Sequence, residues 1–149
     1  MRAVIQRVKE ARVRVLGECI GEIARGFVVL LGVEQEDTQE DLDYLAKKIS
    51  GLRIFSDDED KMNLNLAAVD GEILLISQFT LLGNTRKGNR PSFVRSGDPD
   101  KAETLYEEMK KALEQLGHRV ETGEFGASME VELINEGPVT ILIDSRKEF

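Results

Sequence analysis

The chain has 149 residues, of which 41% are hydrophobic and 32% charged, and its formal net charge is −8. This length predicts a single domain, residues 1–149, with enough chain to bury a core, and the composition excludes a disordered protein. No apolar run approaches the roughly 20 residues that span a bilayer, and the first residues lack a secretory signal. The single cysteine, Cys19, excludes an intrachain disulfide and is expected to be a small buried residue. We therefore expect a cytoplasmic protein without a membrane partner.

The first half of the chain predicts several strands and one helix. Strand patterns, with alternating or continuous apolar residues, occupy residues 2–8, 11–16, 19–23, 26–33 and 53–55. Residues 26–33 are almost wholly apolar, which predicts a central strand covered on both faces. A helix is expected to begin at Thr38, whose hydroxyl can accept a hydrogen bond from a free amide, and its apolar stripe continues to Leu52.

The second half predicts further strands and a longer helix. Strand patterns occupy residues 72–82, 129–134 and 139–143. Residues 83–97 form a loop rich in glycine and basic residues. Asp98 and Pro99 are a typical N-cap and first helical residue, and Gly117 is expected to end that helix. These elements predict an α+β domain in which two amphipathic helices pack on a largely antiparallel, barrel-like sheet.

The charges are unevenly distributed along the chain. Residues 34–60 are strongly acidic, whereas residues 1–26 and 84–101 contain more bases than acids. Most charge runs are solvated faces of a protein. Phosphate contacts require Lys and Arg, however, so the two basic segments leave room for a local polyanion site in an acidic chain.

Residue sets that are typical of catalysis are missing from the sequence. The only histidine, His118, follows a helix end and is expected to be a surface or half-buried imidazole. There is no nucleophile elbow and no phosphate loop, although a serine esterase that uses Ser77 and His118 stays an alternative. The acids of residues 57–61 lack the Gly and Glu positions of a calcium loop and are expected to be solvated. The sequence predicts neither a metal site nor a cofactor.

Two short segments are chemically unusual. The first is Ser77-Gln78-Phe79-Thr80, where polar side chains interrupt a predicted apolar strand and would point to alternate faces. In a purely structural role, the hydroxyls would be satisfied by cross-strand partners. The second is the Gly-Pro pair at 137–138, which joins two predicted strands. A plain turn and the much rarer cis peptide bond are both open for this pair.

These segments belong to a set of motifs that occur in a fixed order. The motifs are MRAVIQRV at residues 1–8, SQFTL at 77–81, KGNRPSF at 87–93, GEFGASM at 123–129 and NEGPVT at 135–140. In order and spacing the chain resembles the D-aminoacyl-tRNA deacylases over essentially its whole length. The resemblance implies a homodimer that hydrolyses the ester of D-aminoacyl-tRNA and of glycine mischarged on tRNA. It also implies that L-aminoacyl-tRNA is rejected.

The resemblance also implies roles for particular residues. Gly137 and Pro138, joined by a cis bond, would form a chiral gate that enters the pocket of the partner subunit, and Arg7 would brace that loop. The carbonyls of this pair would hold the substrate amino group so that an L side chain collides with backbone. Such a gate accepts many D side chains and cannot exclude glycine.

The implied pocket is lined by Ser77, Gln78, Phe79 and Thr80. An aminoacyl ester is already activated, so positioning the ester and a water molecule can supply roughly 7–11 kcal/mol of the barrier. Backbone amides near Phe79 and Thr80, or the Gln78 side chain, would stabilise the oxyanion. We expect none of the hydroxyls to be an obligatory nucleophile, with Thr80 as the alternative.

The loop after the pocket segment has the charge needed for tRNA. Arg86, Lys87 and Arg90 are expected to contact phosphates of the acceptor stem. Two other interpretations stay open, because fold alone does not fix activity. One is a non-catalytic RNA-binding or replication-associated module of the same fold, and the other is an enzyme that edits a small L-amino acid.

Overall fold

The structure, a computed structural model, describes residues 1–149 and contains eight strands, two α-helices and two 3-10 helices. The strands are β1 (Arg2–Val15), β2 (Glu18–Ile23), β3 (Gly26–Gly32), β4 (Phe55–Ser56), β5 (Met62–Leu64), β6 (Glu72–Ser77), β7 (Val120–Thr122) and β8 (Glu130–Asp144). The helices are α1 (Gln39–Gly51) and α2 (Pro99–Gln115), and the 3-10 helices are Ala67–Val69 and Phe79–Leu82.

Six strands form one sheet in the order β2-β1-β3-β6-β7, with β8 paired to the long strand β1. Strand β1 is antiparallel to β2, β3 and β8. Strand β2 also approaches β7 at the far end of the sheet. A Cβ atom on Gly21 of β2 would lie 2.8 Å from the carbonyl oxygen of Thr122, so a glycine is needed there. The sheet is therefore nearly closed, and the predicted α+β domain with a barrel-like sheet is confirmed.

The sheet is largely antiparallel, as predicted, but two of its five strand pairings are parallel, which the sequence pattern did not reveal. Strand β6 runs parallel to β3, and β7 runs parallel to β6. Parallel neighbours need a long crossover, and the two helices provide it: α1 lies between β3 and β6 in the chain, and α2 lies between β6 and β7. Both crossovers contribute buried side chains to the same core.

Strand β3 is the centre of the fold, as its apolar run predicts. Phe27, Val29 and Leu31 face a core of 22 buried residues that includes the apolar stripes of both helices. Val28 faces the other way, into a smaller cluster of seven buried residues inside the barrel. Phe27 stacks on Phe55 with ring centroids 5.2 Å apart. Full burial of a side chain of this size contributes about 1.5–3 kcal/mol, so both faces of β3 stabilise the domain.

The predicted helix ends are confirmed at α2. The carboxylate of Asp98 accepts a hydrogen bond from the amide of Asp100 at 3.0 Å, and Pro99 is the first helical residue. Gly117 follows the helix with a φ of +96°, a conformation that favours glycine. Helix α1 begins after Thr38, which forms a capping box with Asp41. The Thr38 hydroxyl accepts from the Asp41 amide, and the Asp41 carboxylate accepts from the Thr38 amide at 2.9 Å.

Several predicted boundaries are wrong. The strands predicted for 2–8 and 11–16 are one strand, β1, which ends at Val15, and those predicted for 129–134 and 139–143 are one strand, β8, which begins at Glu130. The strand predicted for 53–55 begins only at Phe55, and the short strands β5 and β7 have no clear pattern in the sequence. Cys19 is exposed rather than buried, because it lies on an outer strand near the β1–β2 turn. Neither α-helix is both long and apolar enough to span a membrane.

Candidate active site

A cavity of about 610 Å³ opens at the end of strand β6. It lies where the carboxyl end of β6 meets two loops, one before α2 and one before β8. Most of its lining residues are hydrophobic, Phe79, Phe125 and Met129 among them, and the polar side chains are those of Ser77, Gln78 and Ser96. A pocket of this kind, largely apolar with a few polar groups, is typical of a site for an organic ligand.

The segment 77–80 is not a continuous strand, so the prediction of a strand over residues 72–82 is wrong. Strand β6 ends at Ser77, opposite Leu31 of β3. The amide of Gln78 makes the last hydrogen bond to β3, to the carbonyl of Leu31 at 2.8 Å. Strand β3 itself ends at Gly32, so β6 has no partner beyond this point. After Gln78 the chain turns into the 3-10 helix Phe79–Leu82.

This turn changes which side chains reach the cavity. In a strand, Ser77 and Phe79 would have faced away from Gln78 and Thr80. In the structure, Ser77, Gln78 and Phe79 all line the cavity and Thr80 does not. The Gln78 side-chain amide donates a hydrogen bond to the hydroxyl of Thr80. The hydroxyl of Thr80 is thus already a partner of Gln78.

Aromatic side chains form one wall of the cavity. Phe79 is 54% exposed. It meets Phe93 edge-on, with ring centroids 5.1 Å apart. Phe125 contacts Tyr106 of helix α2, whose hydroxyl donates to the carbonyl of Leu75 at 2.8 Å. Burial raises the pKa of Tyr106 to about 12. The hydroxyl anchors Tyr106 to β6, and its ring supports Phe125.

No titratable side chain lines the cavity. His118, the only histidine, is buried elsewhere, where its Nε2 atom lies 2.7 Å from the hydroxyl of Ser50 in α1. Burial also lowers the pKa of His118. The structure therefore does not assemble an esterase pair from Ser77 and His118.

The sequence did not single out several lining residues for a role. Phe125 and Met129 lie in the motif at 123–129, so that motif was the signal that could have identified them. Ser96 had no signal of this kind. Its hydroxyl oxygen is buried and has no hydrogen-bond partner.

Gly137 and Pro138 lie on strand β8, away from the cavity of their own chain. On β1, Gln6 pairs with Thr140 and Val8 pairs with Asn135 of β8. Between these pairs β1 has one residue, Arg7, whereas β8 has four, residues 136–139. We call residues 136–139 the β8 bulge. The Gly137–Pro138 peptide bond is cis.

Arg7 fixes the β8 bulge from inside the protein. Its guanidinium is buried and donates from Nη1 to the carbonyl of Ile54 at 2.6 Å. It also donates from Nε to the carbonyl of Glu136 at 3.0 Å. The side chain of Asn135 accepts from the amide of Val139 at 3.0 Å. Hydrogen bonds thus hold both ends of the bulge.

The two basic segments differ in how their charges are used. In the first, Arg12 and Arg14 form ion pairs with Glu132 of β8. In the second, Arg86, Lys87 and Arg90 lie in an exposed loop, and none of the ion pairs of the structure includes them. Lys9 and Arg25 of the first segment also form no ion pair, but only the second segment places three such cations within five residues of one exposed loop.

Comparison with known proteins gives concordant results. A family model for D-Tyr-tRNA(Tyr) deacylase matches residues 4–144. The D-aminoacyl-tRNA deacylase of Desulfatibacillum aliphaticivorans is 58% identical over 146 residues, which cover 98% of this chain and 100% of that protein. The enzyme of the same name from Thermosipho africanus is 56% identical over 149 residues and is covered, like this chain, in full.

Two solved structures have the same fold. One, described as a c-Myc DNA Unwinding Element Binding Protein, has a TM-score of 0.91 and 41% identity, and the match covers 97% of this chain and 98% of that one. The other, described as a probable eukaryotic D-amino acid tRNA deacylase, has a TM-score of 0.82 and covers 96% and 98% of the two chains. Its identity is only 19%, so that likeness concerns the fold alone.

Proposed function

This chain belongs to the D-Tyr-tRNA(Tyr) deacylase family and is a D-aminoacyl-tRNA deacylase, and we propose that it is the chirality checkpoint of translation in its cell. In this role it works in the cytoplasm as a homodimer. It releases D-amino acids and mischarged glycine from tRNA and leaves L-aminoacyl-tRNA intact. The observation that carries the proposal is the cavity at Ser77–Phe79, which has no titratable lining residue.

A cavity of this composition acts by positioning its substrate. The aminoacyl ester is activated by the neighbouring ribose hydroxyl, so a general base from the protein is not required. Holding the ester and a water molecule in line can contribute roughly 7–11 kcal/mol to the lowering of the barrier. The apolar walls exclude bulk water and strengthen each remaining hydrogen bond.

The oxyanion of the tetrahedral intermediate needs donors, and the motif has them. The amides of Phe79 and Thr80 head a 3-10 helix, and the first amides of a helix have no partner within it. The side-chain amide of Gln78 is a further donor at the cavity. One such donor is worth about 2.7–4 kcal/mol in the transition state. Thr80 then positions Gln78, and an acyl group trapped on Thr80 by mass spectrometry would contradict this assignment.

The choice between D and L esters is assigned to Gly137 and Pro138. The β8 bulge presents their backbone, held through the hydrogen bond from Arg7 to Glu136. Rigid carbonyls that hold the substrate amino group leave no space for an L side chain, whereas a D side chain or hydrogen points outward. Because neither residue lines the cavity of its own chain, the gate of one subunit serves the cavity of the other.

The exposed bases of the 83–97 loop are assigned to the acceptor stem. Arg86, Lys87 and Arg90 follow the cavity motif directly in the chain and have no protein carboxylate as a partner. The overall charge of −8 repels nucleic acid, so a local group of free cations is what allows tRNA to bind.

Hydrolysis of matched esters tests the proposal. D-tyrosyl-tRNA and glycyl-tRNA should be cleaved, and L-tyrosyl-tRNA should be spared. Gly137→Ala should reduce this preference, because a Cβ atom there would lie 2.8 Å from Val139 Cγ2 and 3.1 Å from Arg7 Nη2. Gly17→Ala is the matched control, since Gly17 also has a positive φ but nothing within 4 Å of the added methyl. Equal release from both tyrosyl esters by the wild type would refute the checkpoint.

A second candidate function follows from one of the solved neighbours. The protein with 41% identity is described as binding a DNA unwinding element, so this chain, too, could serve as a nucleic-acid-binding module. Such a module would bind unwound duplex DNA at least as well as tRNA and would not need Gly137. Competition between DNA and deacylated tRNA separates the two candidates. The third possibility, editing of a small L-amino acid, predicts release of L-alanine from tRNA.

A further inference from the structure

A second cavity, of about 220 Å³, lies beside the first and is lined by three arginines, Arg2, Arg86 and Arg95. Its wall includes Leu82 and Gly83, which directly follow the 79–81 stretch of the catalytic motif. Arg95 is also the neighbour of Ser96 in the catalytic cavity. The two cavities are therefore built on the same two chain segments. We call the second one the arginine cavity.

A carboxylate from the last residues of the chain occupies the rim of the arginine cavity. Glu148 accepts hydrogen bonds from Arg2 Nη2 at 2.7 Å and from Arg95 Nη2 at 2.9 Å and Nη1 at 3.1 Å. Two guanidinium groups that converge on one oxyanion form the arrangement by which arginine binds carboxylate and phosphate groups. The Glu148 side chain is 41% exposed, so a competing anion can reach the same guanidinium groups from solvent.

The other acids at the arginine cavity are buried and fixed. Glu34 pairs with Arg95 at 3.0 Å, and its side chain is 4% exposed. Asp144 pairs with Arg2 at 3.3 Å, and its side chain is fully buried. Arg146 also lies 3.8 Å from Glu34, but it does not line the cavity. Of the three arginines that line the cavity, Arg2 and Arg95 share these acids and Glu148, whereas Arg86 has no acidic partner. The charge of Arg86 suits one phosphodiester, which carries one negative charge.

We propose that Arg2, Arg86 and Arg95 bind one backbone phosphate of the single-stranded acceptor end of tRNA, and that Glu148 occupies this site until tRNA displaces it. This inference rests on the proposed function, because the adjacent cavity must hold the terminal aminoacyl-adenosine. The buried acids orient the guanidiniums of Arg2 and Arg95 from behind, so the site is preformed. The side chain of Arg86, which has no carboxylate partner, completes it.

The first test removes the carboxylate of Glu148, which is proposed to compete with phosphate for the arginines. Glu148→Gln should tighten the binding of deacylated tRNA about two- to five-fold, the range expected when one surface ion pair is removed. Glu121→Gln is the matched control, because it also raises the net charge by one. It likewise removes one of two carboxylate partners from an exposed arginine, since Arg119 pairs with Glu121 at 3.1 Å and also with Glu72. Equal effects of the two variants would overturn the proposal.

A pair of substrates provides the second test. Arg95→Gln should raise KM for D-tyrosyl-tRNA about 10- to 100-fold, the loss of a charge-assisted contact, and should leave kcat unchanged. It should not change the hydrolysis of D-tyrosyl-adenosine, which has no phosphate. Unchanged turnover of this small ester also shows that the variant is folded. If Arg95→Gln does not fold, the comparison of Glu148→Gln with Glu121→Gln decides alone.

The outcomes separate this inference from the proposed function. If the wild type cleaves D-tyrosyl-tRNA selectively but Arg95→Gln impairs both substrates equally, only the phosphate site is wrong. If the wild type shows no preference for the D ester, the proposed function fails whatever the variants do. A phosphate contact also predicts that Arg95→Gln lowers the salt slope of tRNA binding by about 0.7.

Discussion

Arg7 connects the interior of the domain to the β8 bulge, so its replacement tests the proposed gate. Arg7→Met keeps most of the apolar stem and removes the guanidinium. The hydrogen bonds to the carbonyls of Ile54 and Glu136, at 2.6 and 3.0 Å, are then lost. Each hydrogen bond from a charged donor contributes about 1.5–3 kcal/mol. Two such bonds would add to about 3–6 kcal/mol, and because they share one donor group we expect a loss of about 3–4 kcal/mol in the free energy of unfolding.

The loss is large but leaves a folded protein to assay, since domains are stable by about 5–15 kcal/mol. Urea denaturation measures the stability, and initial rates with D- and L-tyrosyl-tRNA measure the preference. The ratio of D to L hydrolysis rates should fall about tenfold or more. This corresponds to a loss of about 1.4 kcal/mol in the difference between the activation free energies of the two esters. Hydrolysis of the D ester itself should change less, because Arg7 does not line the catalytic cavity.

Gln6→Met is the matched control for this experiment. Gln6 precedes Arg7 on β1 and points to the opposite face, where its only side-chain hydrogen bond is an exposed contact of 3.4 Å with Thr140. Its replacement should change stability by no more than about 0.5 kcal/mol and leave the D to L ratio intact. A folded Arg7→Met protein with the wild-type ratio would refute the idea that Arg7 holds the gate.

Two further predictions concern His118 and the loop of free bases. Burial lowers the pKa of His118 in the folded protein. As the pH falls below the pKa of about 6.5 in the unfolded chain, the unfolded chain binds a proton more readily than the folded protein, and stability decreases. When the pH is lowered from 7.5 to 5.5, the melting temperature of the wild type should therefore fall more than that of His118→Asn. At pH 7.5 the variant should deacylate D-tyrosyl-tRNA at nearly the wild-type rate. Loss of this activity in the variant would restore the esterase alternative. Replacing Arg86, Lys87 and Arg90 by glutamine should weaken tRNA binding and flatten its dependence on log salt by about 2 to 3. An unchanged slope in a filter-binding titration would show that the loop does not contact phosphate.

Local patterns predicted those elements whose residues interact with their near neighbours. The continuous apolar run of β3 indicated burial on both faces, and Asp98 and Gly117 marked the ends of α2, because these signals act within one turn or one strand. The break after Ser77 had no such signal. It arises because the neighbouring strand β3 ends at Gly32, and a strand cannot continue without a hydrogen-bonding partner.

The candidate site could be predicted only in part for the same reason. The motif at Ser77–Phe79 was recognised as unusual, but its cavity also needs Ser96 and Phe125, which lie far away in the chain. The parallel order β3-β6-β7 brings these segments together, and strand β7, with three residues, is too short to show a pattern. Position in the sheet, rather than any local propensity, thus determines which loops meet at the end of β6.

The composition of the cavity constrains where chirality can be read. Ser77, Gln78 and Phe79 would offer an L ester the same donors and the same apolar walls as a D ester, because none of them carries a charge that could fix the substrate amino group. Selectivity therefore requires a second, rigid group beside the α-carbon. The β8 bulge is the part of this chain whose backbone is fixed by a buried arginine yet turned to the surface at Gly137 and Pro138. Since the β8 bulge does not line the cavity of its own chain, the proposed gate requires a second copy of the chain, and a monomeric protein that retains D selectivity would contradict it.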